Sequence, residues 1–257
     1  MKAWTGALLL AFGTAAAQPI PSPAGVSLDQ RIGKPLPLTT QVRDARGHAA
    51  HLSDFFAART PVLLVLGYYR CPQLCGLVMH SLLEGLHRTG LPAAQWRIVG
   101  LSLAPDEGPE DAARRSEQDL AYARWLQDGG VLPRLDLLVA APDDVHRIAD
   151  AAGLRYAPRD DGISHPATVV LLTPEGRVAR YFNGVGLDAP QLRDALVQAR
   201  EGRLGTWSER LALLCSHLDP GRGRHTGAVM AALRLTGIAA LALWAALAWR
   251  QSRRRQR

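Results

Sequence analysis

The sequence predicts an α/β fold, a three-layer sandwich in which a β-sheet lies between helices. Three observations predict it. Short apolar runs alternate with longer amphipathic segments along most of the chain. Turn sequences such as Asp44–Gly47 and Thr173–Gly176 separate pairs of runs that suit β-hairpins. Hydrophobic residues make up 47% of the 257 positions, enough for one sizeable core.

The first half of the main domain predicts a hairpin extension followed by a βαβ unit. Its central strand is apolar throughout, which is typical of a strand covered on both faces. Proline suits the first turn of the next helix because its missing N–H would be unpaired there. In chain order the elements are a hairpin of Leu36–Val42 and His48–Leu52, a strand Val62–Tyr69, a helix opening at Pro72, a strand Trp96–Leu103 and a helix Glu110–Gln127.

The second half continues the alternation and then closes with a hairpin and a helix. This βαβ succession followed by a ββα end is the element order of the thioredoxin-like fold. The predicted elements are a strand Leu135–Ala140, a helix Asp143–Ala152, a hairpin of Ala167–Leu172 and Arg177–Phe182, and a helix Asp188–Arg200. We therefore assign residues 28–202 to one thioredoxin-like domain.

The amino-terminal residues 1–17 are typical of a secretory signal peptide. Lys2 supplies the positive charge, Ala7–Phe12 a short apolar run, and Ala15–Ala17 a small-residue cleavage site. The apolar run is too short to span a bilayer, although an uncleaved anchor remains the alternative. A proline-rich linker over residues 18–27 follows, so the domain is predicted to be exported.

The carboxyl-terminal end predicts a membrane anchor. A juxtamembrane segment, 203–227, precedes an apolar stretch, 228–249, of the length that a bilayer core requires, with an amphipathic or core helix as the alternative. The basic tail 250–257 carries five arginines, and the positive-inside rule places such a tail in the cytoplasm. We therefore predict a single-pass protein of the inner (cytoplasmic) membrane whose domain faces the periplasm.

The net charge of +7 does not indicate nucleic-acid binding, because much of the excess lies in this short tail. The sequence also lacks a P-loop, a G-x-G-x-x-G fingerprint and a G-x-S-x-G elbow. Nucleotide-dependent enzymes and α/β-hydrolases therefore have no support.

A cysteine pair follows the central strand. Cys71 and Cys75 are separated by three residues and lie where a strand gives way to a helix. The positive end of a helix dipole stabilises thiolates and lowers their pKa. Spacing of four residues places both sulfurs on one side of the first turn. The pair can then form a disulfide or bind one soft metal ion, whereas structural cysteines are the plainer alternative.

His165 is the candidate third ligand. It lies just before the strand Ala167–Leu172, and in thioredoxin-like folds that loop lies beside the cysteine pair. One imidazole with two thiolates is a ligand set suited to Cu(I) and Cu(II). A surface histidine is the alternative. The other histidines of the predicted helices, His80, His87 and His146, are expected to be solvated or packed.

These residues resemble the Sco/SenC family of thioredoxin-like copper-binding proteins that assist assembly of cytochrome c oxidase. The resemblance covers about residues 28–202 and is carried by the segment Tyr68–Cys75, by Val99–Glu110 and by His165. It implies that Cys71, Cys75 and His165 bind copper for delivery to the binuclear copper site of the oxidase. The partner it implies is the copper-site subunit of that enzyme.

Two other activities remain open for the pair. In a thiol-disulfide oxidoreductase, Cys71 and Cys75 would be the redox residues and would act on cysteines of the same copper site or of another exported protein. Peroxide reduction shares the fold but has no further support. The third cysteine, Cys215, lies near His217 outside the predicted domain, where a packing role, pairing with another chain or a second soft-metal site are alternatives.

Overall fold

The computed structural model describes residues 25–71, 74–127, 130–160, 162–183 and 185–204, without the side chains of 74, 75, 127 and 183. One compact unit ends at Arg203. The predicted signal peptide, membrane helix and basic tail lie outside the described residues and stay predictions. So do most of the linker, at 18–24, and most of the juxtamembrane segment, at 205–227, which includes Cys215 and His217. Within the described ranges, no helix is both long enough and apolar enough to cross a membrane.

A five-stranded sheet forms the centre of the unit. Its strands are β4 (Val62–Gly67), β5 (Arg97–Ser102), β6 (Leu135–Leu138), β10 (Thr168–Leu172) and β11 (Val178–Asn183). They lie in the order β11–β10–β4–β5–β6 across the sheet. Strands β4, β5 and β6 are parallel, and β10 runs antiparallel to both β4 and β11. Each prediction of these strands is confirmed, with ends that differ by one or two residues.

In the described part of the chain, four α-helices cover the two faces of the sheet. They are α1 (Leu74–Thr89), α2 (Pro109–Gln127), α3 (Pro142–Ala151) and α4 (Ala189–Arg200). Helix α1 packs between α2 and α4, and these two contact β6 and β10 respectively. On the opposite face, Leu64 and Leu66 of β4 share a core with Val145 and Ile148 of α3. The predicted thioredoxin-like α/β fold is therefore confirmed.

Short strand pairs complete the fold and were mostly not predicted. The predicted N-terminal hairpin is present but shorter, as β2 (Gln41–Arg43) and β3 (Ala49–His51). Pairs of two or three residues carry too little periodicity to be recognised in sequence. The unpredicted strands are β1 (Ser27–Leu28), which pairs with β7 (Leu154–Arg155), and β8 (Ala157–Arg159), which pairs with β9 (Gly162–Ser164).

The sheet register brings the ends of three strands to the same edge of the sheet. Gly67, at the end of β4, is in register with Ser102 at the end of β5. Strand β10 runs the opposite way, and its Val169 is in register with Val65. The carboxyl ends of β4 and β5 and the amino end of β10 therefore meet at the same edge. The chain leaves the sheet there toward the two cysteines, and it returns to the sheet there after His165.

Candidate metal and thiol site

Cys71 lies between the end of β4 and the beginning of α1. It is partly exposed. Helix α1 begins at Leu74, so Cys75 lies in its first turn, although the side chain of Cys75 is outside the described part of the structure. The unpaired N–H groups and the positive dipole end of α1 therefore adjoin the segment that carries both cysteines.

Tyr69 fixes this segment to the sheet. Its hydroxyl donates a hydrogen bond to the carbonyl of Leu138 at 2.6 Å and lies 3.2 Å from the carbonyl of Gly100. Burial raises the pKa of Tyr69 well above its ordinary value, so the phenol stays protonated and remains a donor. The chain two residues before Cys71 is thus anchored across β5 and β6.

Glu107 holds the same segment from the side of α2. Its carboxylate accepts hydrogen bonds from the backbone N–H groups of Tyr69 at 2.8 Å and Arg70 at 2.6 Å, and from the Ser102 hydroxyl at 2.5 Å. The Glu107 side chain is fully buried. The role of Glu107 was not predicted, because an acidic residue in a strand-to-helix loop gives no local sign of which backbone amides it will contact.

An acidic cluster surrounds the side chain of Arg70, next to Cys71. Arg70 forms a hydrogen-bonded ion pair with Asp106, and its Nε lies 3.6 Å from Glu107 and 3.8 Å from Asp111. The hydrogen bond to Asp106 raises the pKa of Arg70 above its already high value. The guanidinium therefore offsets the negative charge that the acidic loop brings to this edge.

His165 lies in the loop between β9 and β10. Its ring meets the ring of Tyr68 edge-on, with centroids 6.3 Å apart and planes at 79°. Gly162 at the start of β9 approaches Tyr68 so closely that a Cβ there would lie 2.5 Å from the tyrosine oxygen. Since Tyr68 is three residues before Cys71, His165 lies against the chain that leads into the cysteine segment.

The environment of His165 suits a neutral imidazole. Burial lowers its pKa from the ordinary value, because a charged ring would lose hydration. Its Nδ1 lies 3.1 Å from the carbonyl of Pro166. In the tautomer in which Nδ1–H donates to that carbonyl, Nε2 carries the lone pair that a metal ion requires.

Of the three predicted site residues, Cys71 and His165 have described side chains. Cys71 lies three residues after Tyr68 and His165 contacts the Tyr68 ring, whereas the Cys75 side chain lies outside the described atoms. Among the side chains that are described, no three His, Cys, Asp or Glu residues are arranged to hold a metal. Two further histidines are packed as expected, since His80 stacks on Tyr122 and His146 stacks on Tyr156.

A buried ion pair adjoins the first turn of α1. The Nε of Arg115 donates to Oδ2 of Asp119 at 2.8 Å, and both side chains are almost fully buried. An Nη of Arg115 lies 3.8 Å from the position that a Cβ on Gly76 would occupy. This pair was not predicted from the sequence, and it brings a buried guanidinium, paired with a carboxylate, next to the helix turn that contains Cys75.

No protein-family model matches the sequence, and no curated protein is a significant match. Comparison with solved structures gives matches over most of the domain. A candidate electron transfer protein from Aquifex aeolicus VF5 shares 22% identity with a TM-score of 0.57, over 67% of this chain and 96% of its own. Arabidopsis thaliana ScoI with copper bound shares 16% identity with a TM-score of 0.52, over 67% and 99%. A SCO1/SenC family lipoprotein from Bacillus anthracis str. Ames shares 12% identity with a TM-score of 0.51, over 70% and 99%.

These likenesses concern the fold. Identities this low support a shared fold and nothing finer. The chain has the fold of the Sco/SenC structures, and the resemblance predicted from Tyr68–Cys75 and His165 is confirmed for the fold.

Proposed function

We propose that this chain is a copper-binding protein of the Sco/SenC family that carries copper to the binuclear copper site of cytochrome c oxidase. Cys71, Cys75 and His165 are its copper ligands. The observation that supports this proposal most directly is the contact between the rings of His165 and Tyr68, because Tyr68 lies three residues before Cys71. The likeness of the fold to a copper-bound ScoI supports it.

The chemistry of the donor set fits copper as cargo. Thiolates are soft ligands that favour Cu(I), and an added imidazole suits Cu(II) as well. The lowered pKa of His165 keeps its ring neutral and therefore able to coordinate. Release to a recipient proceeds by ligand exchange, in which thiolates of the recipient replace Cys71 and Cys75 one at a time.

A copper titration of the reduced protein tests the proposal. We expect one copper ion per domain, and weaker binding in Cys71→Ala, Cys75→Ala and His165→Ala. His87→Ala is the matched control, because His87 is exposed in the last turn of α1, whereas Cys75 lies in the first turn of that helix. Absence of copper uptake by fully reduced wild-type protein would exclude the proposal.

The spectrum of the Cu(II)-loaded protein identifies the ligands directly. Thiolate-to-Cu(II) charge transfer gives intense visible bands, which should disappear in Cys71→Ala and change in His165→Ala. Bands that persist unchanged in both variants would place the copper elsewhere in the chain.

A second candidate function is thiol-disulfide exchange, favoured by the position of the partly exposed Cys71 at the start of α1. One thiolate attacks a partner disulfide, forming a mixed disulfide and releasing a partner thiolate. The other cysteine then attacks the mixed disulfide and releases the second partner thiolate. The chain is thereby oxidised to a Cys71–Cys75 disulfide and the partner is reduced by two electrons. Two results would separate this role from copper carriage. Cys75→Ala should trap the mixed disulfide, and His165→Ala should reduce the partner disulfide as fast as wild type.

The proposal also includes the location of the domain. A signal peptide over 1–17 and a membrane helix over 228–249, supported by the sequence, would hold residues 28–202 on the periplasmic side of the inner membrane. Reporter fusions after residue 202 and after residue 257 test this topology. Periplasmic activity at the first site and cytoplasmic activity at the second are expected, and the reverse pattern would contradict the location.

A further inference from the structure

Two backbone amides before Cys71 lie beyond the hydrogen-bond ladder of the sheet. The pairing of β4 with β5 ends at Gly67 and Ser102, and one more bond follows from the N–H of Leu103 to the carbonyl of Gly67 at 2.6 Å. The N–H groups of Tyr69 and Arg70 come after this point. Part-buried amides need partners, because an unpaired one costs the free energy of a lost hydrogen bond.

The carboxylate of Glu107 supplies both partners. One oxygen accepts from Tyr69 N–H at 2.8 Å, and the other accepts from Arg70 N–H at 2.6 Å. The first oxygen also accepts from the Ser102 hydroxyl at 2.5 Å. Bonds to an ionised acceptor are roughly twice as strong as neutral ones, and this carboxylate is shielded from water. We call this arrangement of Glu107, Ser102, Tyr69 and Arg70 the carboxylate clamp.

The beginning of α2 fixes the clamp from the other side. Next to Glu107, the N–H of Gly108 donates to the Asp111 carboxylate at 2.9 Å, and the N–H of Asp111 returns a bond to the Gly108 carbonyl at 3.1 Å. These bonds define the first turn of α2. The carboxylate of Glu107 therefore extends from a rigid helix start and joins the ends of β4, β5 and α2.

We propose that Glu107 is a positioning residue that sets the place of Cys71 relative to His165 and thereby sets copper affinity. This inference rests on the proposed function. Arg70 is the last residue held by the clamp and Cys71 is the next, so a shift of the peptide units at Tyr69 and Arg70 moves the thiol directly. Tyr68, which contacts His165, lies on the other side of the same two amides.

Exchanging the carboxylate for an amide should break the clamp. In Glu107→Gln the side chain keeps its size, but one acceptor oxygen becomes an NH₂ donor that faces a backbone N–H. Loss of a group that orients a metal ligand typically lowers metal affinity 10- to 100-fold, and we expect a loss in about this range. Ser102→Ala removes one donor and keeps both backbone bonds, so a smaller loss is expected.

The test measures Cu(I) affinity of the full chain by competition with a chromogenic Cu(I) chelator. Asp136→Asn is the matched control, because Asp136 bonds Arg97 at 2.5 Å at the opposite end of β5, away from the cysteines. Hydrogen exchange at the amides of Tyr69 and Arg70 is measured alongside, without copper. We expect weaker binding and faster exchange at those two amides in Glu107→Gln, and wild-type affinity in Asp136→Asn.

The outcomes separate this inference from the proposed function. If the wild type binds no Cu(I), the proposed function fails and the inference fails with it. If the wild type binds Cu(I) and Glu107→Gln binds it equally well, the inference alone is wrong. Equal losses in Glu107→Gln and Asp136→Asn would also overturn it, since they would show general destabilisation. If Glu107→Gln does not fold, Glu107→Asp decides, because it keeps the charge but withdraws the carboxylate from both amides by one methylene. Wild-type affinity with wild-type exchange at Tyr69 and Arg70 in that variant would contradict the clamp.

Discussion

The ring of Tyr68 meets the imidazole of His165 edge-on, with ring centroids 6.3 Å apart. The two residues come from segments far apart in sequence, one leaving β4 and one entering β10. Edge-to-face contacts of this kind are directional, because the positive rim of one ring faces the negative surface of the other. Tyr68 therefore orients the imidazole beside the segment that carries Cys71.

Removal of the Tyr68 ring should weaken Cu(II) binding. Tyr68→Ala leaves His165 without its neighbouring ring, and we expect a loss of about 10-fold in Cu(II) affinity, as for other groups that orient a metal-bound histidine. Tyr68→Phe keeps the ring and should bind Cu(II) more tightly than Tyr68→Ala. Competition titrations of both variants provide the measurement, and equal affinities would show that the ring contact does not orient His165.

A methyl group at Gly162 should disturb the His165 loop. Its Cβ would lie 2.5 Å from the Tyr68 oxygen, and the φ of +138° is one that L side chains rarely adopt. We expect Gly162→Ala to lower the free energy of unfolding by about 1–3 kcal/mol. Gly186→Ala is the control, because Gly186 also has a positive φ but no atom lies within 4 Å of its added Cβ. Urea unfolding of both variants should show the larger loss of unfolding free energy for Gly162→Ala. Equal losses would mean that the Tyr68 side chain moves aside at no cost in free energy.

The burial of His165 predicts a pH dependence of stability. Its pKa is lowered in the folded protein, so protonation favours the unfolded chain. The pKa of a histidine in the unfolded chain is about 6.5. As the pH falls below this value, the metal-free protein should lose stability until the pH passes the lower pKa that His165 has in the folded protein. His165→Asn cannot be protonated in this range and should lose less. Urea unfolding of wild type and His165→Asn at pH 7.5 and pH 5 measures the loss of stability in each. Equal losses in the two proteins would mean that the His165 ring is hydrated in the folded state.

The ion pair of Arg115 and Asp119 should be costly to break from one side. Both side chains are nearly buried, and removing one partner of such a pair typically costs about 3–5 kcal/mol. We expect this loss of unfolding free energy in Asp119→Ala, and a smaller one when Arg115→Met is added. Glu201→Gln is the control, since its exposed pair with Arg203 should contribute less than about 1 kcal/mol. An additive double variant would show that the two side chains do not stabilise each other.

Much of the fold could be predicted because its elements are recorded in local patterns. The apolar run that forms β4 and the amphipathic repeat that forms α1 are each visible within a short window. Short strands such as β9 could not be predicted, since three residues contain no period. The start of α2 was predicted within one residue, yet nothing in its sequence indicated that Glu107 would face the end of β4.

The sequence by itself determined the chain order of the central-sheet strands and of the four α-helices, the place of Cys71 at a strand-to-helix junction and His165 as its candidate partner. These are properties of neighbouring residues, and hydrophobic periodicity and turn chemistry express them directly. Only the tertiary structure decided that Tyr68 meets His165, that Glu107 holds the amides before Cys71, and that Arg115 is buried beside α1. Such contacts depend on sheet register and helix packing, which arise when the whole chain buries its core and are not recorded in any single segment.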